Sequence, residues 1–315
     1  VTDSTFAFVF PGQGSQSLGM LADIAAAHPS IIDTFAEASA GAGVDLWALA
    51  QQGPEAQLGQ TEFTQPVLLA ASIALWRLWQ AQGGAQPAVL SGHSLGEYSA
   101  LVAAGALSLQ DGARLVRLRG QLMQAACPAG VGGMAAVLGA DDALVAEVCQ
   151  QAAQGQVLVP ANFNSPGQIV IGGDAAAVDR ALALLAERGV RKAVKLAVSV
   201  PSHTPLMRDA ADQLAAAIAD VAWHPPALPV VHNVDAAVHQ GADAISQALV
   251  KQLYLPVQWT GCVQQLAAMG VTCVAECGPG KVLSGLIKRI DKSIDARALG
   301  TLADFDAALA QWPRG

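Results

Sequence analysis

The sequence predicts an α/β protein, a parallel sheet covered by helices and interrupted by a smaller ferredoxin-like lobe. In the outer parts of the chain, short apolar runs alternate with longer helical patterns, the rhythm of a parallel sheet with helical crossovers. The stretch 128–198 instead reads strand–helix–strand–strand–helix–strand, a ferredoxin-like order, between Gly- and Pro-rich turns. Of the 315 residues, 53% are hydrophobic and 13% charged, enough apolar material for a large core and an inserted lobe. A large domain is therefore expected over 1–127 and 199–315, and a small one over 128–198.

In chain order, FAFVF (Phe6 to Phe10) reads as a buried strand stopped by the Gly-rich PGQGSQ. A long apolar helix is expected from Pro66 to Gln82, with the proline in the first turn, where its missing N–H costs nothing. The strand PAVLSG follows, then a helix from near Leu95 and another from Ser108, where Ser108 and Asp111 have capping-box spacing. Within the insert, GGMAAVLG, QVLVPANFN, QIVIGG and RKAVKLAVSV are strands, with DDALVAEVCQQAAQ and AAAVDRALALLAERG as helices. After it, PSHTP leads into a helix and LPVVHNV is a strand. ALVKQLYLPVQWTGCVQQLAAMG carries two helices, and VTCVAECGPG is a strand ending in a turn.

Composition excludes several classes. Seventeen Lys and Arg against 25 Asp and Glu leave a net charge of −8, so there is no basic excess to displace the counterions of a nucleic acid. No apolar run approaches the ~18 residues of a membrane span, and the opening VTDSTFAFVF lacks the basic start of a secretory signal. A cytoplasmic protein with no membrane partner is expected. The cysteines (Cys127, Cys149, Cys262, Cys273, Cys277) form an odd set without a CxxC, which fits a reducing compartment. Cys273 and Cys277 would share one strand face as buried thiols. Basic residues gather at Arg188, Arg191, Lys192 and Lys195, and again at Lys281, Lys288, Arg289 and Lys292. Composition alone reads both groups as solvated helix ends.

The strongest chemical signal is Gly92-His93-Ser94-Leu95-Gly96, a G-x-S-x-G between a short strand and a helix. A serine on so sharp a turn projects its hydroxyl from the sheet, and small residues two positions either side prevent clashes. The free N–H groups of the following helix can stabilise an oxyanion. The competing reading is a plain tight turn.

A nucleophilic serine needs a base. His28 and His224 precede prolines in loops and His239 sits in a polar turn, so these read as surface residues. His232 lies in an apolar strand as a satisfied core residue, and His93 must point away from the side chain of Ser94. His203 occupies the tight link Pro201-Ser202-His203-Thr204-Pro205 between strand and helix, where α/β enzymes mount catalytic groups. A loop histidine that only caps the helix is the alternative.

Arg119 bears on the substrate. At about 100° per residue it falls inside the apolar stripe Leu115, Leu118, Leu122, Ala126, opposite Arg114, Arg117, Gln121 and Gln124. An unpaired buried cation is expensive, so Arg119 should meet an anion, and its planar fork suits a carboxylate. Either the protein or the substrate supplies it; helix geometry does not choose. Gly12-Gln13-Gly14 lets a ligand approach the backbone. A dinucleotide fingerprint fails, because Ser17 stands where the third glycine belongs. Gly278-Pro279-Gly280-Lys281 fails as a phosphate loop, lacking its glycine spacing and having Val282 where a Ser or Thr should be.

PGQGSQ, GHSLGEYSAL, Arg119-Gly120, NFNSPGQ, VPSH, QLYLPVQW and ECGPGKVL occur in that order from Phe6 to about Leu309. Together they resemble the malonyl-CoA:acyl carrier protein transacylases of bacterial fatty acid synthesis. The resemblance implies an α/β-hydrolase-like core with the inserted ferredoxin-like domain. It implies a Ser94–His203 dyad, with the histidine oriented by a backbone carbonyl at Gln252 and an oxyanion hole at Gln13 and Leu95. Arg119 would grip the malonyl carboxylate, and small Ser202 in VPSH resembles malonyl-selective members. Malonyl-CoA and acyl carrier protein with its phosphopantetheine would be the substrates, with no further cofactor. The two basic clusters become candidates for docking an acidic carrier protein, and the protein is expected to be a monomer. Competing functions are a serine esterase or thioesterase, a non-enzymatic carrier-binding subunit, and a malonyl transferase of polyketide synthesis or malonate decarboxylation.

Overall fold

The computed structural model describes residues 2–198 and 200–314; the expected domain-boundary residue Ser199 lies outside them, as do Val1 and Gly315. Among the described residues, nine strands form two sheets. They are β1 Thr2–Phe10, β2 Gln86–Gly92, β3 Gly132–Leu138, β4 Leu158–Ser165, β5 Gln168–Asp174, β6 Lys192–Lys195, β7 Val230–Val231, β8 Cys273–Glu276 and β9 Asp295–Ala298.

The main sheet runs β7-β2-β1-β8-β9 and is parallel throughout, as expected from its strand–helix rhythm. β1 alternates large and small for a reason. Phe6, Phe8 and Phe10 enter one core with Trp76 and Trp79 of the helix Thr61–Ala81. Ala7 and Val9 enter a second core with Trp259, Val263 and Leu266 of the helix Trp259–Ala268. A strand buried on both faces needs both layers, and the period of two sorts its side chains between them. Cys277, just past the strand, is buried in the first core as expected, whereas Cys273 is only half-buried and packs against it; all five cysteines are free thiols.

The second sheet is antiparallel in the order β4-β5-β3-β6, all within residues 132–195. The helices Asp142–Ala153 and Ala175–Glu187 cover it around a third core of Val137, Ile169, Ile171, Val145, Val148 and Val178. This lobe joins the main body where Phe163 N–H donates to Val257 O and Val257 N–H to Ala161 O, both at 2.9 Å.

Several elements depart from the expected boundaries, and three of these departures shape the surroundings of the cleft. The helix expected at Pro66 begins five residues earlier, at Thr61, with Pro66 inside it. Thr64 Oγ1 donates to the carbonyls of Gln60 and Leu58, which anchors the added turn. Tertiary packing also favours it: a Cβ on Gly120 would lie 2.5 Å from the Glu62 Cα, so the bare glycine lets the helix Leu109–Ala126 press on that turn. The last strand of the lobe is only Lys192–Lys195. Leu196 N–H still reaches Met134 O, but Ala197 and Val198 leave the sheet to line a cleft. LPVVHNV keeps only the two-residue strand Val230–Val231, because the chain then turns and buries His232 and Asn233. Among the described residues, no helix is long and apolar enough to cross a membrane.

Candidate active site

The main strands end together, and the loops that follow β1, β2 and β7 meet at one place, as in other open α/β sheets. Ser94 sits directly after β2 with φ of 53°, a left-handed conformation that costs a non-glycine residue about 1–2 kcal/mol. The flanking glycines make that turn possible. A Cβ on Gly92 would lie 1.9 Å from the Gly96 carbonyl oxygen, and one on Gly96 would lie 2.0 Å from that of Phe10. The elbow thus presses against the end of β1, and the hydroxyl points into a cleft of about 500 Å³ between the main body and the lobe.

His203 also has positive φ, 62°, in the loop before the helix Arg208–Asp220. Its N–H donates to Leu253 O, its Nε2 lies 2.8 Å from Ser94 Oγ, and its Nδ1 lies 2.6 Å from the Gln252 carbonyl oxygen. A carbonyl can only accept, so Nδ1 carries the proton and Nε2 offers its lone pair to the serine. Burial pushes the His203 pKa down to about 3, and the Arg119 charge pushes the same way, against the bond to Gln252. The ring is therefore a neutral base.

Arg119 is only 1% exposed. It is buried as its stripe predicts, although Leu115, Val116, Gly120 and Met123 share the buried face while Leu118 and Leu122 are half-buried. Its terminal nitrogens donate to Gln65 Oε1 at 2.7 Å and Gln252 Oε1 at 2.8 Å, with Ser94 Oγ at 3.4 Å. No carboxylate forms an ion pair with it among the described residues. Burial lowers its pKa, opposed by nearby Tyr98 and Glu97. Gln13 and Leu95 line the cleft on either side of Ser94, and neither backbone N–H meets an acceptor among the described residues. Of the six residues singled out in the sequence, five line the cleft; Gln252 stands behind them, touching His203, Arg119 and Ser94.

Residues 7–304 match the family model described as the acyl transferase domain. The chain belongs to the acyl transferase family. A curated relative, the malonyl CoA-acyl carrier protein transacylase of Salmonella typhimurium, is 56% identical over 306 residues, covering 97% of this chain and 99% of its own. A solved malonyl-CoA:acyl carrier protein transacylase from Xanthomonas oryzae matches at TM-score 0.99 and 75% identity, over 99% of this chain and 100% of that one. A complex of a type II PKS acyl-carrier protein with its malonyl-transacylase matches at TM-score 0.96 and 52% identity, over 97% of this chain and 99% of that one.

In this acyl transferase the cleft residues are also bonded to side chains that sequence reasoning missed. Gln65 bonds Arg119 and continues through Thr61 to the side chain of Gln13, at 2.8 and 3.1 Å. It escaped notice because it lies just before Pro66, in the turn not expected to be helical; the signal was a polar pair four apart, Thr61 and Gln65. His93 lines the cleft too; its ring lies 5.4 Å from that of Trp259, and its Nε2 meets Asn164 Oδ1 of β4 at 2.7 Å. Burial lowers its pKa against that bond. His224 is exposed, and His28 and His239 are half-buried. His232 corrects its expectation: it is fully buried, but neither ring nitrogen has a hydrogen-bond partner among the described residues. Its Nδ1 stops 3.5 Å from Glu97 Oε2. The turn that buries it serves Asn233, whose side chain reaches the elbow.

Proposed function

We propose that this chain transfers malonyl from coenzyme A to the phosphopantetheine thiol of an acyl carrier protein through an ester on Ser94. Arg119 carries the substrate assignment: a buried guanidinium held by neutral amide oxygens, with no carboxylate partner among the described residues, beside the reactive hydroxyl. Such a site gains most from a short acyl group ending in a free carboxylate, whereas a general esterase gains nothing from the cation.

In this reading His203 Nε2 takes the Ser94 proton as Oγ attacks the thioester carbonyl. The oxyanion is held by the N–H groups of Gln13 and Leu95, and coenzyme A leaves as a thiol with the proton from His203. The carrier thiol then gives its proton to His203 and attacks the malonyl ester, returning Ser94. The Gln252 carbonyl keeps the imidazole in its reactive tautomer. No step draws on a cofactor, and one chain supplies every group, so a monomer suffices. We read the second sheet as a ferredoxin-like domain inserted at 128–198 into a large domain of 1–127 and 199–315. A cytoplasmic location suits its free thiols.

For the carrier protein we favour the cluster Lys281, Lys288, Arg289 and Lys292, exposed and without an ion pair among the described residues. In the other cluster Arg188 pairs with Glu147 and Lys195 with Asp179, both at 2.9 Å. Charge reversal at Lys288 and Arg289 should weaken transfer to the carrier and leave loading from malonyl-CoA intact. Unchanged transfer would remove this surface.

Fatty acid synthesis is the pathway we propose. Polyketide synthesis is the second reading, because a relative at 52% identity was solved with a type II PKS carrier. The test is incubation with malonyl-CoA or acetyl-CoA, intact mass, then addition of holo carrier proteins of each kind. A malonyl adduct absent from Ser94→Ala and discharged by a carrier is expected. Equal loading of acetyl, or no adduct, would sink the assignment.

A further inference from the structure

The side chain of Asn233 is fully buried, outside the cleft, and bonded to both sides of the elbow. Its Oδ1 accepts the backbone N–H of Ser94 at 2.8 Å, and its Nδ2 donates to the Gly92 carbonyl at 2.6 Å. One amide thus satisfies the donor and the acceptor on either side of His93, at the point where Ser94 leaves ordinary backbone geometry. The same Oδ1 also faces Gln252 Nε2 at 3.4 Å. Gln252 in turn donates to the Ser94 carbonyl at 2.8 Å and presents its own carbonyl to His203 Nδ1. Asn233 is itself held: its backbone N–H donates to Glu97 Oε1 at 2.6 Å, and its carbonyl accepts from Gln258 N at 2.9 Å. Glu97, wholly buried on the first turn of the helix after the elbow, ties that helix to the same point.

We propose that Asn233, seated by Glu97, is a positioning residue for acyl transfer, fixing the elbow backbone and Gln252 relative to one another so that Ser94 Oγ stays in reach of His203. Both halves of the dyad depend on this one amide, Ser94 through its backbone and His203 through Gln252. Its loss leaves the Ser94 N–H and the Gly92 carbonyl without partners, and the elbow relaxes away from the base. Misplacement by about 1 Å costs roughly 100-fold in rate. Asn233 makes no hydrogen bond to Arg119 and reaches it only through Gln252, so binding should change far less than rate.

The inference rests on the acyl-transfer reading, and the experiment separates the two. Asn233→Ala and the nearly isosteric Asn233→Asp, which keeps an acceptor but loses the donor to Gly92, are compared with wild type in single-turnover loading from malonyl-CoA. A core variant away from the site, Leu266→Ala, controls for lost stability. We expect kcat to fall roughly 100-fold with KM within about threefold, and labelling of Ser94 by a serine-reactive fluorophosphonate to slow in parallel. Leu266→Ala should load normally at a temperature where all variants are folded. If Asn233→Ala does not fold, Asn233→Asp decides alone. A folded Asn233 variant with wild-type kcat, a loss confined to KM, or an equal loss in Leu266→Ala overturns the positioning role. Wild type that fails to load malonyl at all sinks the acyl-transfer reading instead.

Discussion

Replacing Arg119 by Met tests the substrate assignment most directly. The guanidinium is 1% exposed and spans Gln65 and Gln252 with terminal nitrogens at 2.7 and 2.8 Å. Each hydrogen bond to a charged group in such a place is worth about 1.5–3 kcal/mol. A carboxylate taking two of them therefore stands to lose about 3–6 kcal/mol, on the order of 10² to 10⁴ in kcat/KM. The substitution has a second effect. It strips the donor from two buried amide oxygens, costing about 1–3 kcal/mol each, and one of those amides belongs to Gln252, which orients His203. Loading of every acyl group should therefore fall somewhat. The ratio of malonyl to acetyl loading cancels that common loss, because acetyl has no carboxylate to lose. Single-turnover loading from each thioester, followed by intact mass, gives the ratio. It should collapse by the factor above. A ratio within about threefold of wild type would mean that Arg119 is structural and the substrate assignment is wrong.

The pH profile offers an independent check. With the His203 pKa pushed down to about 3 by burial and the Arg119 charge, kcat/KM for malonyl-CoA should stay level from about pH 8 to about pH 5. An ordinary histidine would show an acid limb near 6.5; finding one there contradicts the buried neutral base. In Arg119→Met, assayed with acetyl-CoA, the limb should move upward, since a cation that disfavours the imidazolium is gone. Gly96→Ala should destabilise strongly and abolish loading, because its Cβ meets the Phe10 carbonyl oxygen at 2.0 Å and backbone atoms have no rotamer to yield. Overpacking typically costs about 1–3 kcal/mol and this contact is more severe; a wild-type Tm with normal loading would show that the elbow has room.

Much of this was legible in the chain itself. The strand–helix alternation, the strand-rich stretch that forms the second sheet and the G-x-S-x-G elbow are local patterns, and local patterns survive in one dimension. Arg119 was visible as a charge on an apolar stripe, because helical periodicity reports burial. It could not report the partner: two outcomes were open at Arg119, and its bonds to the neutral amide oxygens of Gln65 and Gln252 favour the one proposed above. Glutamines and asparagines were the blind spot. Gln65, Asn164 and Asn233 are uncharged and common on surfaces, so nothing in composition marks them, yet each is bonded within the site.

By itself, then, the sequence marked the residues that the proposed reaction needs: the hydroxyl, the imidazole, the buried cation and the glycines that let an elbow form. Only the tertiary structure decided their mutual distances. It brings Ser94 and His203, 109 positions apart, to 2.8 Å, and threads Asn233 and Gln252 behind them. The physical reason is that periodicity fixes the face a side chain occupies. Its partner is fixed by close packing of elements far apart in the chain, such as the extra helical turn pressed against Gly120.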